Sequence, residues 1–154
     1  MADESGDLMK KLCVIDGQGG GIGSTIIRKV KEAFEESVEV IALGTNAVAT
    51  AQMLKARANR GASGENAIRR TVPKADVILG PIGIIIAHAM MGEVTPAMAE
   101  AVAASPAPKL LLPLSQENVA VIGASALPLP KLVDELISNH LRRLIGSGID
   151  RTSR

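Results

Sequence analysis

The segment Asp16-Gly-Gln-Gly-Gly-Gly-Ile-Gly-Ser-Thr25 constrains the fold of this chain more than any other. Five glycines fall within the seven positions 17–23, between an apolar run and an amphipathic stretch. The run Leu12-Cys-Val-Ile-Asp16 has no polar alternation, which suits a strand buried on both faces of a parallel sheet. From Ser24 to Glu36, the residues Ile26, Ile27, Val30, Ala33 and Phe34 recur at helical spacing, with Arg28, Lys29, Lys31 and Glu32 turned outward. A tight glycine turn from strand to helix gathers backbone N–H groups at the positive end of a helix dipole, where a phosphate is the natural guest. The plainer alternative is a turn that merely lets strand and helix approach closely. So many glycines at one junction favour the anion site.

The rest of the chain alternates in the same way. Val38 to Leu43 reads as a second buried strand ending at Gly44-Thr45-Asn46, and Thr45 or Asn46 caps a helix over Ala47 to Ala58. Asn59 to Glu65 is expected to be a polar loop, with Ser63 capping a short helix over 64–72. Asp76 to Gly80 is a third strand, turned by Pro81-Ile82-Gly83 into an apolar helix from Ile84 to Met91. Thr95-Pro96 starts a helix that runs to about Ala104. Lys109 to Leu114 and Val119 to Gly123 read as strands joined by Ser115–Asn118, a link too short for a crossover, so this pair is expected to be antiparallel. Pro130 to Ile145 is the last helix, with Gly146 as its stop. The predicted fold is α/β: a three-layer sandwich of four parallel strands plus an antiparallel edge strand, with helices on both faces. It forms one domain over 10–146, with disordered tails at 1–9 and 147–154.

Composition narrows the function classes. Of 154 residues, 47% are hydrophobic and 21% charged, which supports one ordinary packed domain. Seventeen basic against sixteen acidic residues, with no basic block and Phe34 as the one aromatic, offer nucleic acid little to hold. One cysteine, Cys13, excludes an intrachain disulfide framework and any multi-cysteine metal site. His88 and His140 have no partner at ligand spacing, so no metal is expected and both read as packing residues. The polar, acidic start is no secretory signal, and the apolar stretch Ala75 to Gly92 is too interrupted to span a membrane. A cytoplasmic protein is expected.

Ligands of such sheets bind beyond the carboxyl ends of the strands. The candidate binding residues are therefore Asp16, Gly17, Gln18, Gly19, Gly20, Gly21, Ile22, Gly23, Ser24 and Thr25, then Gly44, Thr45 and Asn46, then Gly80, Pro81 and Gly83. The dinucleotide fingerprint G-x-G-x-x-G fits no frame. The spacing G-x-x-x-G-x-G does fit, as Gly17, Gly21 and Gly23, and resembles the cofactor loop of short-chain dehydrogenases; the tyrosine of their catalytic pair has no counterpart in this chain. A Walker-type loop is excluded because Ser24 stands where the phosphate-binding lysine would precede Thr25. The neutral end of the second strand leaves room for a 2′-phosphate. NADP(H) is thus slightly favoured over NAD(H), with Arg57 or Arg60 as partners.

Asp16 has three candidate roles: accepting backbone N–H bonds from the turn, holding Mg²⁺ through water, or acting as a base; the first is favoured. Asn59, Arg60, Ser63, Glu65 and Asn66 are candidates for a lid over the phosphate. Glu93 is read as support for the helix start at Thr95-Pro96. The Ile84–Met91 helix is apolar all round, which points to a homodimer through it. No catalytic apparatus is identifiable.

Val-Ile-Asp-Gly-Gln-Gly-Gly-Gly-Ile-Gly (14–23), Ile-Ala-Leu-Gly-Thr-Asn-Ala (41–47), Ala-Asn-Arg-Gly-Ala-Ser-Gly-Glu-Asn-Ala (58–67), Ile-Leu-Gly-Pro-Ile-Gly-Ile (78–84) and Gly-Glu-Val-Thr-Pro (92–96) belong together. On these motifs the chain resembles an uncharacterised family of small Rossmann-like proteins from anaerobic bacteria, over about residues 12 to 145. The resemblance implies the fold and no defined activity. Three functional expectations stand beside it. The first is a nucleotide-binding protein, in one form a minimal oxidoreductase, that holds the phosphate of NADP(H) or NAD(H) on the glycine turn. The second is a non-enzymatic accessory or regulatory subunit. The third is a transferase or phosphatase acting on a small phosphorylated metabolite.

Overall fold

The computed structural model describes residues 9–114, 118–124 and 126–149. Five strands form one sheet: β1 (Lys10–Asp16), β2 (Val38–Gly44), β3 (Arg60–Ser63), β4 (Val77–Pro81) and β5 (Lys109–Leu112). Their order is β3-β2-β1-β4-β5, and every neighbouring pair is parallel. The chain runs outward from β1 to β2 and β3, then crosses back to β4 and β5. Strand order therefore reverses between β1 and β4. Leu12 is in register with Val40 on one side and Val77 on the other, while Asp16 at the end of β1 faces Gly44 at the end of β2.

The helices are α1 (Gly21–Phe34), α2 (Ala47–Lys55), α3 (Glu65–Thr71), α4 (Pro96–Ala104), α5 (Leu129–Glu135) and α6 (Arg142–Ile149). Strand side chains alternate between the two sheet faces, and each face has its own core. Leu12, Val14, Val40 and Leu79 pack with Ile27, Val30 and Phe34 of α1 and with Leu136 and Leu141 of the last helical run. Cys13, Ile15, Leu43 and Ile78 pack with Ile68 of α3 and with Met98 and Val102 of α4. Two expected caps are in place. Asn46 Oδ1 accepts the Ala49 N–H at 2.8 Å, and Thr95 Oγ1 accepts the Met98 N–H at 3.1 Å.

Four expectations are corrected. Arg60–Ser63, expected as a loop, is the edge strand β3, paired with Ile41–Gly44. All four of its residues are exposed, so nothing apolar marks it as a strand. Residues 119–123 are not a strand, and the described residues hold no antiparallel pair; Ile122 is 94% exposed. The sheet thus has five parallel strands, not four with an antiparallel edge. Ile84–Met91 is not a helix. A 3₁₀ turn at Ile82–Ile85 leads into tight turns with left-handed backbone at His88, Met90 and Met91. Ile84 and Ala89 are buried within the domain, which removes the apolar helix on which the homodimer rested.

Gly146 does not stop the last helix, which continues to Ile149 through a π-helical segment at Leu136–Leu141. Of the expected tails and the expected link 115–118, residues 1–8, 115–117 and 150–154 lie outside the described residues.

Candidate functional site

The end of β1 carries Asp16, which is 4% exposed. Its Oδ1 accepts the Gly17 N–H at 2.8 Å and its Oδ2 the Gly23 N–H at 2.7 Å, so the carboxylate braces the turn and the first turn of α1. This is the structural role expected of it. Burial raises its pKa above the usual carboxylate value; the N–H groups of Gly23, Gly17 and Ile22 oppose the rise, and the nearby charge of Glu93 adds to it. The turn closes with a Gly20 N–H to Gly17 O bond of 2.9 Å and left-handed backbone at Gln18 and Gly20.

The glycines divide into two kinds. A methyl group on Gly23 would lie 2.6 Å from Met53 Sδ and 3.0 Å from Asp16 Cβ; one on Gly17 would meet Thr45 and Met90. Gly20 has φ +72° and lies against the Ala49 backbone. Gly44 lies against Thr50, and Gly80 lets β4 pass close to the carbonyl of Ile15. Packing accounts for all of these. Gly19 and Gly21 differ, because a Cβ on either would meet nothing within 4 Å and neither has positive φ.

Those two glycines open onto a groove of about 440 Å³ between α1 and α2. Its walls are Gly19, Gly21, Ser24, Arg28 and Glu32 on one side and Gln52, Lys55, Ala56 and Arg57 on the other. The groove has three cationic side chains and one carboxylate. Ser24 is 6% exposed, and its Oγ is the buried side-chain polar atom without a hydrogen-bond partner among the described residues. Thr25 differs: its Oγ1 donates to Gly21 O at 3.0 Å and accepts from Arg28 at 3.2 Å. Arg57 thus joins the groove. Arg60 instead pairs with Glu39 at 3.2 Å on the outer strands.

Glu93 is the site residue that the sequence reading missed. Its Oε1 accepts three bonds: from the Gln18 N–H at 2.7 Å, Thr45 Oγ1 at 2.7 Å and Asn46 Nδ2 at 2.9 Å. Partial burial raises its pKa, but these three donors outweigh burial and leave it below the usual glutamate value. It therefore does not act as support for α4; Thr95 caps that helix alone. The turns at 88–92 deliver it, with φ +69° at His88, +59° at Met90 and +57° at Met91. Such values are uncommon for residues with side chains. Gly92 directly before Glu93 was the available sequence signal.

Thr45 and Asn46 both turn their donors to Glu93. Pro81 ends β4, and Gly83 makes ordinary contact with Met90 and Ala89. Ser63 does not cap α3; its Oγ bonds Thr50 Oγ1 at 2.7 Å, while Glu65 accepts a 2.5 Å bond from Thr95. Asn59 accepts from buried Lys31 and from the Val40 N–H, and Asn66 is exposed. These residues are held in or beside the sheet, apart from the groove. His88 and His140 are exposed, not packed. Burial pushes the Cys13 thiol up to about 12, which leaves it a poor nucleophile. Among the described residues, no three His, Cys, Asp or Glu side chains are grouped to hold a metal ion, and no helix is long and apolar enough to cross a membrane.

A parallel five-stranded α/β domain with a glycine turn at its strand-order reversal is the class that fold and site define. Within that class, residues 11–145 match the family described as Domain of unknown function (DUF3842), and the chain belongs to it. No curated protein matches the chain.

Proposed function

We propose that this is a Rossmann-like nucleotide-binding protein that holds the pyrophosphate of a nicotinamide adenine dinucleotide on the turn at Gly19–Ser24. The observation that carries this reading is the pair Gly19 and Gly21. The protein itself gives neither a reason to be glycine, and both border open space at the start of a 14-residue helix. Phosphate oxygens approaching that backbone would meet the Gly19 and Gly21 peptides at the start of α1 and the positive end of the helix dipole. Ser24 fits the same guest, since a buried hydroxyl without a partner is costly until a ligand atom bonds it. Arg28 stands one helical turn further along the same wall and would neutralise charge on the phosphates. The reversal of strand order between β1 and β4, beside the turn, is where sheets of this kind bind dinucleotides.

The test is isothermal titration of the full chain with NAD⁺ and NADP⁺, in the wild type and in Gly21→Val. A Cβ at position 21 meets no protein atom within 4 Å, so the variant is expected to keep its melting temperature and to lose ligand binding. At a hundred times its dissociation constant, the ligand raises wild-type stability by about 2.7 kcal/mol. Failure of the wild type to bind either dinucleotide, or unchanged binding in Gly21→Val, would overturn the reading.

A further inference from the structure

We infer that Glu93 supplies the ribose-binding carboxylate of this site, so that the chain selects a dinucleotide with a free adenosine 2′-hydroxyl over one bearing a 2′-phosphate. The inference rests on the dinucleotide reading above. Dinucleotide domains place an acidic side chain at the end of the second strand, where it accepts the ribose hydroxyls. Here that strand ends at Gly44-Thr45-Asn46, without an acid. The structure fills the gap from elsewhere in the chain. Thr45 and Asn46 each donate to Glu93 Oε1, at 2.7 and 2.9 Å, and the Gln18 N–H ties the same oxygen to the glycine turn at 2.7 Å.

All three bonds fall on Oε1, and Oε2 carries none of them. A carboxylate fixed by one oxygen presents the other as an acceptor. Glu93 is only partly buried, so a ligand can reach it. A ribose diol brings hydroxyl donors and suits this acceptor. A 2′-phosphate brings a dianion against a fixed negative charge and is repelled. The neutral strand end had favoured NADP(H); with Glu93 seated there, NAD(H) is the better fit. The cations Lys55 and Arg57 line the groove between the helices, whereas Glu93 is bonded to the Gln18 N–H and to the end of β2.

The experiment is titration of the full chain with NAD⁺ and NADP⁺, in the wild type and in Glu93→Gln. Glutamine keeps an oxygen acceptor for all three donors, so the variant removes charge while preserving the local bonds. The wild type is expected to bind NAD⁺ about tenfold or more tightly than NADP⁺, as a hydrogen bond to a charged group implies. Glu93→Gln weakens NAD⁺, leaves NADP⁺ unchanged or tighter, and brings the ratio close to one. Equal or tighter NADP⁺ binding in the wild type, or an unaltered ratio in Glu93→Gln, overturns the inference. If Gly21→Val still abolishes binding in that case, the pyrophosphate reading stands without it. A wild type that binds neither dinucleotide removes both.

Discussion

Glu93 Oε1 accepts the backbone N–H of Gln18 at 2.7 Å, across 75 positions of sequence. That contact ties the segment after β4 to the turn after β1, so the two are expected to respond to each other. Thr45→Val removes one of the three donors to Glu93. The variant should lose about 1–2 kcal/mol of stability, and the Glu93 carboxyl should titrate closer to the ordinary value of 4.5. Chemical denaturation and carbon-13 NMR titration measure the two effects.

The two carboxyls at the turn should shift in opposite directions. Asp16 is raised from 3.8, so its contribution to stability is fully present below 3.8 and is lost as pH rises through its folded pKa. Glu93 is lowered from 4.5, so its contribution is present above 4.5 and is lost as pH falls through its folded pKa. Carboxyl-carbon titration of both residues in the folded chain should give an Asp16 midpoint above 3.8 and a Glu93 midpoint below 4.5. A Glu93 midpoint above 4.5 would contradict the three bonds assigned to it, and an Asp16 midpoint below 3.8 would contradict the dominance of burial there.

The glycines of the turn should not be equivalent on mutation. Gly23→Ala forces a methyl group against Met53 and Asp16 and should cost about 1–3 kcal/mol. Gly19→Ala and Gly21→Ala meet open space and should leave the unfolding midpoint almost unchanged. Thermal denaturation of the three variants decides this. If all three are equally destabilised, packing accounts for the whole cluster.

Asp16→Ala leaves the N–H groups of Gly17 and Gly23 without their acceptor. Each buried donor so orphaned costs about 1–3 kcal/mol. Faster amide exchange should follow at Gly17 and Gly23, with the far ends of β1 and α1 unaffected. Exchange unaltered at these two amides would show that the carboxylate does not brace the turn.

Sequence reached the scaffold where local physics specified it. β1, β2 and β4 are apolar runs buried on both faces, and Asn46 and Thr95 announce their helices as caps. It failed where structure depends on distant partners. β3 is Arg-Gly-Ala-Ser, four exposed residues that become a strand only because β2 offers an unpaired edge. The 84–91 run is apolar enough for a helix, yet left-handed residues at 88, 90 and 91 turn it back over the sheet end. Val119–Gly123 has strand-like composition and forms no strand, although β5 is an edge strand paired on one side only. Glu93 sits beside Thr95-Pro96 in sequence, and only the fold carries it to Gln18. The glycine turn was legible as a candidate, but which glycines the fold itself requires was visible only in three dimensions.

Two backbone positions, Gly19 and Gly21, decide whether the turn binds phosphate, and amide NMR reads them directly. In a titration of the wild-type chain with NAD⁺, the Gly19 and Gly21 amide resonances should shift saturably along one binding curve. Leu12, buried towards the start of β1, should move little. Saturable binding with shifts confined to other parts of the chain, or no shift at the two amides, would contradict phosphate binding at the turn.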